Sequence, residues 1–216
     1  MNPNLTEIVY IMDESGSMGR FTQDTIHGFN SYVLEQQKQP GEAYLTTVCF
    51  NSDVNVIHDH VHINEVSPLT GLQYRPMGTT ALLDAVGGTI ERVGRRLALT
   101  KEEDRPAHVI FVINTDGEEN SSKEYALPQV KEMILHQQGK YSWQFLFIGV
   151  GIDAFQASRD LGIAAINTAS YAATTDGIQA TYSGMSCATK SIRTTGVLDA
   201  NWSLSSAADA ANTSVK

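Results

Sequence analysis

Two apolar runs constrain this chain more than any other feature. Ile8-Val9-Tyr10-Ile11-Met12 and His108-Val109-Ile110-Phe111-Val112-Ile113 are short, nearly uninterrupted and rich in β-branched and aromatic residues. That is the pattern of strands covered on both faces, hence of a sheet held between helical layers. Each run stops on oxygen donors: Asp13-Glu14-Ser15-Gly16-Ser17 after the first, Asn114-Thr115-Asp116-Gly117 after the second. Asp13, Ser15 and Ser17 alternate, and Gly16 lets the loop curl so that their oxygens converge. Hard divalent cations take carboxylate, hydroxyl and water oxygens, so a Mg²⁺-type site is one reading. A turn that caps the following helix is the other.

Between and around these runs the chain alternates helices and strands. Ile26, Phe29 and Val33 recur at helical spacing to about Gln37, and Pro40-Gly41 closes that helix. Tyr44 to Phe50 reads as a strand, Asn51-Ser52-Asp53 as a turn, and Val54 to Ile63 as an exposed edge strand in a hairpin. Pro76-Met77-Gly78-Thr79-Thr80 opens a helix with the apolar face Leu83, Val86, Ile90, Val93 and Leu97, and either threonine suits its cap. A helix is expected from about Ser122 to Gln138, with Pro128 near its first turn. Phe145 to Val150 is then a strand, Asp153 to Leu161 a short helix, and Ala164 to Ile166 a last strand. The pattern predicts an α/β fold: a three-layer, doubly wound, mostly parallel central sheet with one antiparallel edge strand. In such sheets ligands bind at the carboxyl ends of the strands, where the strand order reverses. That crevice would gather the loops after Asp13, around Thr79 and Thr80, and at Asp116. Capping does not explain why loops so far apart deliver matching donors.

A length of 216 residues with 42% apolar content suits one large α/β domain, or one smaller domain with an appendage. From Ser170 the composition shifts to Ala, Ser, Thr and Gly. The expected organisation is a domain over 1–168, a helical extension over 169–194 packed on it, and a flexible tail over 195–216. In the extension, Ile178 to Ile192 would dock through Tyr182, Met185 and Ile192; Asn201-Trp202 is the one candidate anchor in the tail. A formal charge of -9 argues against a nucleic-acid surface. Arg92, Arg95 and Arg96 read as a solvated helix face. Cys49 fits a core strand, and with Cys187 the only other cysteine there is no disulfide framework. No signal peptide or membrane-spanning run is evident, so a cytoplasmic location without membrane contact is expected. His58, His60 and His62 alternate along the edge strand and read as a row facing solvent on one side, with a metal site as the alternative reading.

Three motifs then stand in order along the chain: Asp13-x-Ser15-x-Ser17, Gly78-Thr79-Thr80-Ala81-Leu82-Leu83-Asp84-Ala85, and Asn114-Thr115-Asp116-Gly117. Together they resemble the metal-ion-dependent adhesion site (MIDAS) of von Willebrand factor type A domains. The likeness runs from about Leu5 to Ile166 and is closest to the small stand-alone bacterial and phage members. The resemblance implies a Rossmann-like fold and a cation, Mg²⁺ or else Mn²⁺ or Ca²⁺, held by Asp13, Ser15, Ser17, Thr80 and Asp116. The serines would coordinate directly, the threonine directly or through water, and the aspartates mainly through water. Thr79 is the alternative to Thr80; Glu14 and Glu118 lie beside the site and read as solvated loop residues, with tuning of the site's charge as the alternative. A cation held largely by hydroxyls keeps unneutralised charge, so the implied function is a non-enzymatic module that engages a partner protein's Glu or Asp through the bound ion. Stand-alone members often work beside AAA-type ATPases, which makes such a system an expected setting. Two other functions compete. A Mg²⁺-dependent hydrolase or phosphatase would use Asp13, but needs a second carboxylate where this chain has Ser15. The serine loop also departs from the nucleophile elbow, and no phosphate loop or dinucleotide fingerprint appears. A scaffold that binds partners without metal is the third reading.

Overall fold

The computed structural model describes residues 1–150 and 152–203. Its elements are β1 (Asn2–Asp13), α1 (Thr22–Gln37), β2 (Glu42–Phe50), β3 (Val54–His62), α2 (Leu82–Leu99), β4 (Pro106–Thr115), α3 (Leu127–Tyr141), β5 (Gln144–Val150), α4 (Ala154–Asp160), β6 (Thr168–Tyr171) and α5 (Thr175–Thr195). The six strands form one sheet in the order β3-β2-β1-β4-β5-β6. Only β3 runs antiparallel to its neighbour. β1 and β4, the two apolar runs, are the central pair. Strand order reverses between them, so the switch-point crevice opens at Asp13 and Thr115.

Alternation along β1 divides the core. Ile8, Tyr10 and Met12 face a layer made by Phe29, Tyr32 and Val33 of α1 and Ile178, Tyr182, Met185 and Ile192 of α5. Val9 and Ile11 face the opposite layer, where Val86, Ile90 and Val93 of α2 and Val130 and Ile134 of α3 pack. Each fully buried aliphatic or aromatic side chain of this kind contributes roughly 1.5–3 kcal/mol. Among the described residues, no helix is long and apolar enough to cross a membrane.

Three local expectations change. The last strand is Thr168–Tyr171, not Ala164–Ile166; residues 165–167 form a tight 3₁₀ turn in which the Asn167 amide donates to Phe145 O at 3.0 Å. A side chain thus occupies the β5 edge where backbone pairing was expected. Helix α3 starts at Leu127 instead of Ser122, because the N–H groups of Lys123, Glu124 and Tyr125 are taken by the Asp84 carboxylate at 2.8–2.9 Å. The three histidines do not share a face. Two register shifts place extra residues in β3 opposite Thr47, and His60 sits at φ 53. His58 turns toward α1 and stacks on Phe29, 6.3 Å between centroids, while His60 and His62 flank Tyr44. His60 donates from Nδ1 to Glu7 at 2.8 Å.

The arginine reading changes at Arg96 only, since the Arg92 and Arg95 side chains stand 48% and 76% exposed. Glu7 is 1% exposed in the middle of β1, and Arg96 donates to it at 2.6 Å while also reaching Asp59. A buried carboxylate demands such a partner, so Arg96 belongs to an interior ion pair and not to a solvated face. Residues 169–194 supply most of β6 and nearly all of α5, and α5 lies in the same layer as α1. Beyond it, Gly196 ends the helix at φ 75, and Trp202 is buried with its indole N–H on Ile166 O at 2.9 Å. The remainder of the expected tail, 204–216, lies outside the described residues.

Candidate metal centre

Asp13 is the last residue of β1 and is 1% exposed. Its Oδ1 accepts the Ser15 N–H at 2.7 Å, which curls the loop, and its Oδ2 accepts the Thr115 hydroxyl at 2.5 Å from the end of β4. The curl sets Ser15 Oγ 3.0 Å from Ser17 Oγ, and the Ser17 hydroxyl donates to Asp116 Oδ1 at 2.6 Å. Asp13, Ser15, Ser17 and Asp116 are therefore linked in one chain of short contacts across the β1–β4 switch point.

Thr80 reaches the same place from the second loop. Gly117 forms the wall between them: a Cβ placed there would lie 3.0 Å from Thr80 Oγ1 and 3.7 Å from Asp13 Oδ2. Thr80 is buried and fixed by reciprocal bonds with Asn120, its N–H donating to Asn120 Oδ1 at 2.9 Å and its carbonyl accepting the Asn120 N–H at 3.1 Å. Thr79 points elsewhere, with its hydroxyl 2.8 Å from Ser52 Oγ.

The braces around these groups carry little sequence signal. Glu14, read as solvated, is 4% exposed and its carboxylate accepts the Arg75 N–H, while its carbonyl accepts the Met77 N–H at 2.9 Å. Tyr74 donates to Asp13 O at 2.7 Å, and Gly16 N–H to Gly78 O at 3.2 Å. Gly78 holds φ 71, a conformation side chains disfavour. On the far side, Glu119 accepts from Leu83 N–H at the start of α2 and from Ser121 and Ser122. These contacts tie three loops into one frame.

The electrostatics fit a cation. Burial pushes the Asp13 carboxyl above the ordinary carboxylate range, opposed by the Thr115 and Ser15 hydrogen bonds. Burial also raises Asp116, opposed by its Ser17 bond and by Arg20. Asp13 makes no ion pair among the described residues. A buried carboxylate with only hydrogen bonds for compensation is costly. A positive ion among these oxygens would remove that cost. Among the described residues no group of three or more His, Cys, Asp or Glu gathers to hold a metal. The donor set is two carboxylates and three hydroxyls, which suits a hard ion that retains some of its water and does not suit a zinc-type thiolate or imidazole cage.

By sequence, the chain matches no family model and no curated protein. By structure it is similar to a von Willebrand factor type A protein from Catenulispora acidiphila, with a TM-score of 0.59 and 14% identity over 86% of this chain and 42% of that one. It is also similar to proximal thread matrix protein 1 from the mussel byssus, in a structure with a zinc-occupied MIDAS motif: TM-score 0.55, 16% identity, 84% of this chain and 44% of that one. The manganese-loaded TRAP protein of Plasmodium vivax matches at 0.54 with 15% identity, over 80% of this chain and 70% of that one. This chain spans less than half the length of the first two. The likeness establishes the architecture: a von Willebrand factor type A fold.

Proposed function

We propose that this protein is a divalent-cation-dependent protein-binding module. Mg²⁺, or Mn²⁺ or Ca²⁺ in its stead, would be held by the hydroxyls of Ser15, Ser17 and Thr80 and the carboxylates of Asp13 and Asp116. The observation that carries the reading is the buried Asp13 carboxylate, without an ion pair among the described residues, at the head of a contact chain running through Ser15 and Ser17 to Asp116. Zinc in the mussel protein and manganese in the Plasmodium protein, both of this fold, support a divalent ion. When bound, the ion supplies a positively charged coordination position for an anionic group, and a partner's Glu or Asp side chain meets that requirement. The chain's own groups do the rest. Thr115 and the Ser15 N–H aim the Asp13 carboxylate, Asn120 fixes Thr80, and Glu14 and Tyr74 hold the second loop against the first.

Binding and not turnover is favoured by Ser15, whose hydroxyl meets Ser17 at the position where a phosphoryl-transfer aspartate enzyme would need its second carboxylate. The formal charge of -9 fits a protein partner better than a nucleic acid or an anionic membrane. The setting we propose is cytoplasmic, beside an AAA-type ATPase system. A pull-down in Mg²⁺ against one in chelator, repeated with Ser15→Ala/Ser17→Ala, tests the reading. Partner recovered only by the wild type in Mg²⁺ is the expected result. Equal recovery in all four conditions overturns it.

A further inference from the structure

Next to the oxygen cluster, on the other side of Gly117, a groove of about 330 Å³ runs between the first turns of α2 and α3 and the length of α4. Its floor is apolar: Leu83, Ile152, Ala157 and Leu161 line it. Leu83 and Leu161 are buried, but Leu127 stands 39% exposed at the mouth, an apolar side chain held in solvent by its place at the start of α3. The rim is acidic. Glu118, Asp153 and Asp160 lie along it, and none makes an ion pair among the described residues. Asp160 accepts both its bonds from the neutral Gln156 amide, at 2.8 and 2.9 Å, and the oxygen of that amide accepts from Arg159 at 3.0 Å, so Asp160 has no direct ion pair among the described residues. Gly117 lines the groove, and a Cβ built on it would lie 3.0 Å from Thr80 Oγ1 and 3.7 Å from Asp13 Oδ2, so the two concavities share one partition.

We propose that a partner's footprint continues from the cation site into this groove. A partner segment would place an apolar side chain on the Leu83–Leu161 floor and a neighbouring Lys or Arg against the Glu118–Asp153–Asp160 rim. The proposal deepens the reading above, because its first contact is the carboxylate delivered to the cation. The volume suits one or two side chains, at the small end of the roughly 300–1,000 Å³ range of ligand pockets. The unpaired rim charges repel phosphate and attract cations, which selects a basic peptide over a nucleotide or an anionic lipid. The partner chemistry that follows is mixed: one acidic residue for the ion, then an apolar residue beside a basic one. Buried apolar contact supplies affinity, and the exposed charges supply selection and on-rate.

The test selects a displayed library of short random peptides on the immobilised full chain, once in Mg²⁺ and once in chelator. Recovered peptides are then titrated against the wild type, Leu127→Glu/Asp160→Lys and Ser15→Ala/Ser17→Ala. The groove variant is built to fold, since an acid in the first turn of α3 and a base in the last turn of α4 both suit the helix dipoles. Its Mn²⁺ binding checks that the cation site is intact. The proposal expects peptides that pair an apolar residue with Lys or Arg, and a loss of about tenfold or more in affinity on the groove variant with Mn²⁺ binding unchanged. Peptides without that pair, affinities unmoved by the groove variant, or no recovered peptide would overturn it. Apolar–basic peptides recovered equally in chelator, and weakened only by the groove variant, would uphold the groove and instead remove the cation-bridged reading.

Discussion

His58 shows how a single residue departs from its local pattern and what that does to stability. It is 7% exposed, flat against Phe29, with Nε2 3.0 Å from Ser67 O and no partner for Nδ1. Burial pushes its imidazole below the ordinary value of 6.5. The folded state therefore prefers the neutral ring, while the unfolded chain takes up a proton first as pH falls. Its contribution is complete above about pH 6.5 and drains as pH drops through that value to the lower folded one, by at most about 1.4 kcal/mol per pH unit. His58→Phe keeps the ring stack and removes the titration. Urea unfolding at pH 7.5 and pH 5.5 should show a smaller acid loss in the variant; an equal loss would contradict this account. Some loss should persist in both, since burial depresses His108 too. Nothing near His58 in the chain announces this. The bulge that separates it from His60 contains neither Gly nor Pro, so the sequence suggests strict alternation, and Arg96 reads as solvated because its partner Glu7 lies 89 residues away.

At the scale of elements, helices and strands were legible where periodicity alone decides. β1, β4 and α2 follow from their apolar spacing. Boundaries set by distant side chains were not. Asp84 in α2 claims three N–H groups just before α3, and Asn167 claims a β5 carbonyl, so both neighbouring elements begin later than their own residues suggest. The α1–α5 contact rests on close approach: a Cβ at Gly28 would fall within the Tyr182 ring, which is buried and cannot swing aside. Around it, Tyr32 and Thr189 hydroxyls meet at 3.0 Å, and the Arg193 guanidinium donates to Gln36 O at 2.7 Å. Gly28→Ala should therefore destabilise by about 1–3 kcal/mol, overpacking outweighing the roughly 1 kcal/mol that Ala gains in helix propensity. Chemical denaturation measures it, and an unchanged or raised midpoint would show the helices free to part.

The whole molecule reduces to one sheet whose central strands end in oxygens at the place where strand order reverses. The three donor loops were legible because each follows an unmistakable apolar run or opens an amphipathic helix, and the fold rule joins them. The frame of Glu14, Tyr74, Asn120 and Glu119 was not, since each acts through a backbone group in another loop. In the proposed function, the buried Asp13 and half-buried Asp116 carboxylates, joined by a line of hydroxyls, would have their charge completed by a bound cation. Titration with Mn²⁺, followed by electron paramagnetic resonance of the free ion, tests this most directly. The account predicts one ion bound per chain, displaced by Mg²⁺, and binding lost in Ser15→Ala/Ser17→Ala and in Asp116→Ala while both variants stay folded. Mn²⁺ bound equally well by those variants, or no binding by the wild type, would contradict it.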